Sequence, residues 1–162
     1  MQQSSNASQS NFSAQRISSR HSAPTLVLDT NAALDLLVFR DFACAALGGS
    51  LDRAALGWYA TAAMRAEFDD VLARPAFERW AGQRESIAAQ WARWSIFIDA
   101  EPCATQPAAL RCADPDDQMF LDLALKLRPS CLLSRDRELL RLAAPARDWG
   151  VRIVTPAQFN AA

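Results

Sequence analysis

Histidine, lysine and glycine are scarce in this chain of 162 residues, and each shortage excludes a chemistry. The single histidine, His21, lies in a polar N-terminal stretch, so a histidine triad, a His-rich zinc site or a histidine general base is not expected. The single lysine, Lys126, sits in no GxxxxGK sequence, which excludes a phosphate-binding P-loop. Five glycines without a GxGxxG leave no dinucleotide-binding turn. The cysteines (Cys44, Cys103, Cys112 and Cys131) form no CxxC pair and read as reduced thiols, Cys44 and Cys131 as core residues. Apolar residues never run on for about 18 positions, so a membrane-spanning helix is not expected. The N-terminus has no apolar stretch of the kind a secretory signal needs, and a cytoplasmic location is expected.

A net charge of −1 gives no general basic surface, so nucleic-acid binding does not follow from charge. Of the 17 positive side chains 16 are arginine, a skew that matches the Ala-rich composition as well as it matches phosphate binding. What remains for catalysis is carboxylate, with 18 Asp and Glu. Half the residues are hydrophobic, and the length suits one domain with a sizeable core.

Residues 1–23 are Ser, Gln and Asn with little to bury, and are expected to be a disordered tail ahead of one domain over 24–160. From Pro24 onward, strand and helix patterns alternate. Strands are expected at 25–28, 56–60, 96–98, 131–133 and 151–154, each a short apolar run. Helical spacing marks 32–39, 62–72, 85–94, a segment around Phe120–Leu125 and a short helix after Asp136. Gly48 and Gly49 are expected to break 41–54 into two helical pieces. Trp58, Trp80, Trp91, Trp94 and Trp149 read as core packing rather than a base-stacking platform. Continuous apolar strands between helices predict a three-layer α/β/α sandwich around a parallel sheet of about five strands. Such folds bind ligands beyond the carboxyl ends of the strands.

That rule singles out acids. Asp29 ends the first strand, Asp136 follows the fourth, Asp117 opens the helix that feeds the fourth, and Glu67 lies in the helix after the second. Taken singly, Asp117 and Asp136 could be helix caps, Asp29 could close its own turn, and Glu67 could be a solvated helical residue. Four converging carboxylates would repel by about 3 kcal/mol per pair at ~5 Å and an effective dielectric of ~20. Protonation or a bound cation must relieve that repulsion. An all-oxygen site suits Mg²⁺ or Mn²⁺, and such ions serve phosphodiester hydrolysis. Asp114 and Asp116 are rivals for the position of Asp117, and Asp70 could share the face of Glu67. Asp122, about 140° around the helix from Asp117, is expected to face solvent.

The blocks Leu28-Asp29-Thr30-Asn31, Glu67 ahead of Val71-Leu72-Ala73-Arg74-Pro75-Ala76-Phe77, Asp114-Pro115-Asp116-Asp117-Gln118-Met119-Phe120-Leu121, Leu133-Ser134-Arg135-Asp136-Arg137-Glu138-Leu139 and Ile153-Val154-Thr155-Pro156-Ala157-Gln158-Phe159 follow in order. Together they resemble the PIN domain family, in particular its branch of toxins from bacterial toxin–antitoxin systems. The resemblance spans about residues 24–160. It implies an α/β/α sandwich and a metal-dependent endoribonuclease whose acidic quartet is Asp29, Glu67, Asp117 and Asp136. It places Asn31 and Ser134 beside the quartet, orienting ligands or water. It also implies Mg²⁺ or Mn²⁺, an RNA substrate, a cognate antitoxin and, as in other members, a homodimer. Gln118 and Met119 depart from the family pattern, where a third Asp and then a basic residue often stand. Two other readings stay open: a non-catalytic module binding RNA or protein, and a phosphatase-like hydrolase with Asp29 as nucleophile. The second is disfavoured by Asn31, where a second Asp would be needed.

Overall fold

The computed structural model describes residues 23–99 and 107–160. Nearly all of the expected tail, and Cys103, lie outside the described residues.

Five parallel strands form one sheet: β1 (Thr25–Leu28), β2 (Gly57–Ala60), β3 (Ser95–Phe97), β4 (Cys131–Leu133) and β5 (Ile153–Val154). Their order across the sheet is β3-β2-β1-β4-β5. The chain therefore steps outward from β1 to β3, then returns to the other side of β1 and steps outward again. Between β1 and β4 the order reverses, and in a parallel sheet the crevice beyond that reversal is where side chains from two loops face one gap. Leu26, Val27 and Leu28 of β1 and all of β4 are buried, as expected of strands covered on both faces.

Eight helices flank the sheet among the described residues: α1 (Thr30–Leu34), α2 (Ala45–Asp52), α3 (Ala62–Leu72), α4 (Arg84–Trp94), α5 (Gln118–Leu127), α6 (Arg137–Arg141), α7 (Ala143–Arg147) and α8 (Pro156–Asn160). Helix α3 buries Met64, Phe68 and Leu72, a stripe at i, i+4, i+8, and Thr61 caps it by accepting from the Met64 amide at 3.3 Å. Trp58 packs edge-on against Trp91 of α4 at 4.4 Å between ring centres, and Phe68 joins them. Cys44 and Cys131 are buried in the core, as expected.

Several sequence expectations need correction. Residues Gly48 and Gly49 break nothing: α2 runs through both, and the change of geometry comes earlier, between a 3-10 turn at Phe42–Cys44 and Ala45. A Cβ at Gly48 would stand 3.4 Å from the Trp94 ring, in ordinary van der Waals contact. The helix over 32–39 is two pieces, α1 and a π-helical turn at Asp35–Phe39 that ends at Arg40 in the left-handed region (φ 51°). Trp149 is 46% exposed rather than core. Trp80 is half-buried and, as expected, packs against the core, its ring against those of Phe39 and Phe77.

Asp122 is buried, not solvent-facing. Asp117 belongs to a 3-10 turn (Pro115–Asp117), so an angle counted from it does not carry into α5. Counted from Gln118, Asp122 is one turn on, and the Gln118 amide donates to it at 2.9 Å.

Candidate active site

Leu28 and Leu133 are register partners at the ends of β1 and β4, so Asp29 and Ser134 are the next residues out on neighbouring strands. The Asp29 amide still donates to the Leu133 carbonyl at 3.0 Å, and the Ser134 amide to that of Val154. Side chains pointing past these last rungs face each other. The Ser134 hydroxyl donates to Asp29 Oδ2 and accepts from the Asp136 amide at 2.9 Å. One buried hydroxyl thus ties the acid after β1 to the acid after β4.

Both acids also cap helices. Asp29 Oδ1 accepts from the Ala32 amide at 2.6 Å and starts α1. Asp136 Oδ1 accepts from the amides of Glu138 and Leu139 and starts α6. Asp117 differs: it stands at the start of α5, yet its side chain makes no capping bond. The cap of that turn is Asp114, whose Oδ1 accepts from the Asp116 amide at 3.0 Å.

Glu67 reaches the same end of the sheet because α1 and α3 pack together. The Thr30 hydroxyl donates to Glu67 Oε1 at 2.7 Å, and Oε2 is buried with no hydrogen-bond partner. Sequence reasoning missed Thr30. Its signal was available, since a hydroxyl in the first turn beyond a strand-end Asp can fix a neighbouring acid. Asn31 is exposed on the first turn of α1.

The electrostatics link these groups. Burial pushes Asp29 up to about 7, against the lowering hydrogen bonds from Ser134 and Ala32, and the charges of Asp117 and Asp136 raise it further. Burial likewise lifts Asp117 to about 6, followed by Asp136, Asp114, Glu67 and Asp116. Glu67 is raised by burial, opposed by the Thr30 bond, and raised by Asp116 and Asp114. The Cys112 thiol is pushed up to about 11, first by burial, then by Asp117, Asp122, Asp136 and Asp114. Asp114 and Asp116 are exposed whereas Asp117 is half-buried, so Asp117 is the acid of that run turned furthest inward.

Among the described residues no group of three or more His, Cys, Asp or Glu side chains is gathered tightly enough to hold an ion as it stands. The carboxylates share a neighbourhood, but backbone amides and hydroxyls hold Asp29, Asp136 and Glu67. The donor set nevertheless fits a hard divalent cation. It is all oxygen, it leaves one buried carboxylate oxygen of Glu67 without a donor, and it holds two acids far above their ordinary range.

Arg135, between Ser134 and Asp136, turns away from the acids. Its Nε lies 2.7 Å from buried Asp35 and its Nη2 3.0 Å from Asp41, which fastens the β4–α6 turn to the segment after α1.

A family model described as a PIN domain matches residues 25–138, and its span takes in all four acids. No curated protein matches the chain.

Proposed function

The chain belongs to the PIN domain family, whose members are typically metal-dependent nucleases, and we propose that it is an Mg²⁺- or Mn²⁺-dependent endoribonuclease. One observation carries this reading. Asp29, Asp117, Asp136 and Glu67 come from four separate segments, yet the charges of Asp117 and Asp136 raise Asp29, and those of Asp136 and Glu67 raise Asp117, at the strand-order reversal between β1 and β4. A purely structural set of caps has no reason to concentrate like charge at that crevice.

Asp29, Asp117 and Asp136 would hold the cation, with Glu67 as a further ligand or as the acceptor of a proton from water. When bound, the cation supplies neutralisation of phosphate charge and acidification of water. The chain's own groups do the rest. Ser134 fixes the direction of Asp29 through Oδ2, while the α6 amides fix Asp136 through Oδ1. Thr30 holds Oε1 of Glu67 and leaves Oε2 as the open acceptor. None of these roles needs a covalent enzyme intermediate.

The order of the five sequence blocks supports a finer reading, the toxin of a bacterial toxin–antitoxin pair acting on cytoplasmic RNA. An acidic crevice gives a cognate antitoxin a simple target, because an inserted arginine brings positive charge to the place the cation would take. A homodimer is part of the same proposal.

A second reading, a non-catalytic module that binds RNA or protein, draws on the absence of a tight acidic cluster among the described residues. Incubating a generic single-stranded RNA with the chain in Mg²⁺ or Mn²⁺, with and without chelator, separates the two. Chelator-sensitive cleavage supports the nuclease, and RNA binding without cleavage in either metal supports the module.

A further inference from the structure

The departure at position 118 has a place in the structure. Gln118 spends its whole side-chain amide on three partners: Oε1 accepts from the Cys112 amide at 2.7 Å, and Nε2 donates to the Leu110 carbonyl at 3.2 Å and to Asp122 Oδ1 at 2.9 Å. Two of these partners lie just before the acidic run and the third lies one turn into α5. The side chain therefore closes a loop around residues 113–117, which hold Asp114, Asp116 and Asp117. Leu110 is fully buried and α5 packs on β1 and β4, so both ends of this loop are anchored to the core. The 3-10 turn inside it is held by the Asp114 cap and by the Gln118 backbone amide, which donates to the Pro115 carbonyl.

We propose that Gln118 is a positioning residue that sets the register of the 113–117 turn and so presents Asp117 to Asp29 and Asp136. This inference rests on the metal-site reading above. It also accounts for glutamine in place of an acid. A carboxylate at 118 can only accept, so it would lose both donor bonds and would face the buried carboxylate of Asp122.

The test uses the full chain and Mn²⁺ alone, by titration calorimetry, with thermal melting in chelator as the measure of folding. Gln118→Glu should fold and bind Mn²⁺ about tenfold more weakly, a loss of about 1.4 kcal/mol. The direction is diagnostic, because an added negative charge near a cation site would by itself tighten binding. Adding Asp122→Asn supplies an amide donor to Glu at 118 and should bring the affinity to within about threefold of the parent. A merely structural clasp would lower the melting temperature and leave the affinity of the folded chain unchanged. Should Gln118→Glu not fold, Gln118→Met removes the same three bonds without a charge, and the same weakening is expected. Parental affinity in a folded 118 variant, alongside its loss in Asp117→Asn, overturns this inference and leaves the metal site standing. So does a double variant that binds no better than Gln118→Glu. A parent chain that binds no Mn²⁺ overturns the metal-site reading and this inference with it.

Discussion

Replacing Asp29 by Asn isolates the cost of a buried charge at the centre of the site. Asp29 is 2% exposed, and its carboxyl is pushed from 3.8 to about 7, chiefly by burial. Between those values the folded chain keeps a proton that the unfolded chain has released. Stability from this group is therefore full below about pH 4 and is lost as pH rises through about 7. A shift of roughly three units corresponds to about 4 kcal/mol at pH 8, an upper figure because Asp117 and Asp136 titrate with it. Part of that loss is already complete at pH 5, leaving about 2.6 kcal/mol between pH 5 and pH 8; at about 2–4 °C per kcal/mol for a domain of this size, the parent in chelator should melt up to about 5–10 °C lower at pH 8 than at pH 5 from this cause. Asn carries no charge, so Asp29→Asn should show a much flatter profile and be the more stable chain at pH 8. It forgoes about 1 kcal/mol, because the Ser134 hydroxyl loses its acceptor if the amide turns Nδ2 toward it. The assay is thermal or urea denaturation of both chains in chelator at pH 5, 6, 7 and 8, with Asp70→Asn as an exposed control. Parallel profiles for parent and Asp29→Asn would refute the reasoning. The same variant should lose RNA cleavage.

Ser134→Ala removes the hydroxyl that serves buried Asp29 and the half-buried Asp136 amide. It should cost about 1–3 kcal/mol by urea denaturation at pH 5 and weaken Mn²⁺ binding. Divalent metal should stabilise the fold by RT ln(1 + [L]/Kd), about 1.4 kcal/mol at ten times Kd, and raise the melting temperature accordingly. Thermal melts with and without Mn²⁺ should show that rise abolished by Asp117→Asn and largely kept by Asp116→Asn; the reverse would shift the site by one residue.

The parts of this protein legible in its sequence are those set by short-range pattern. Thr25–Leu28 and Cys131–Leu133 are apolar runs ended by Asp29 and Ser134, and both strands have the expected bounds. The Met64/Phe68/Leu72 stripe delimited α3 at Ala62–Leu72 for the same reason. What was hidden depends on partners distant in sequence. Asp122 looks solvated until Gln118 is seen to donate to it. The π turn before Arg40 sits where Arg135, about 100 residues on, draws in Asp35 and Asp41. Within the site, strand ends located Asp29 and Asp136, and family resemblance selected Asp117 from its run. The pairing of Thr30 with Glu67 needed the packing of α1 on α3.

The central claim is that these acids serve metal-dependent hydrolysis of RNA. Its most direct test is cleavage of a 5′-labelled single-stranded RNA by the purified full chain, followed in Mg²⁺, in Mn²⁺ and in excess chelator, beside Asp117→Asn at matched concentration. Internal cleavage is expected in either metal, none in chelator, recovery when metal is restored, and none by Asp117→Asn under any condition. Cleavage that persists in chelator, or that Asp117→Asn performs at the parental rate, would contradict it.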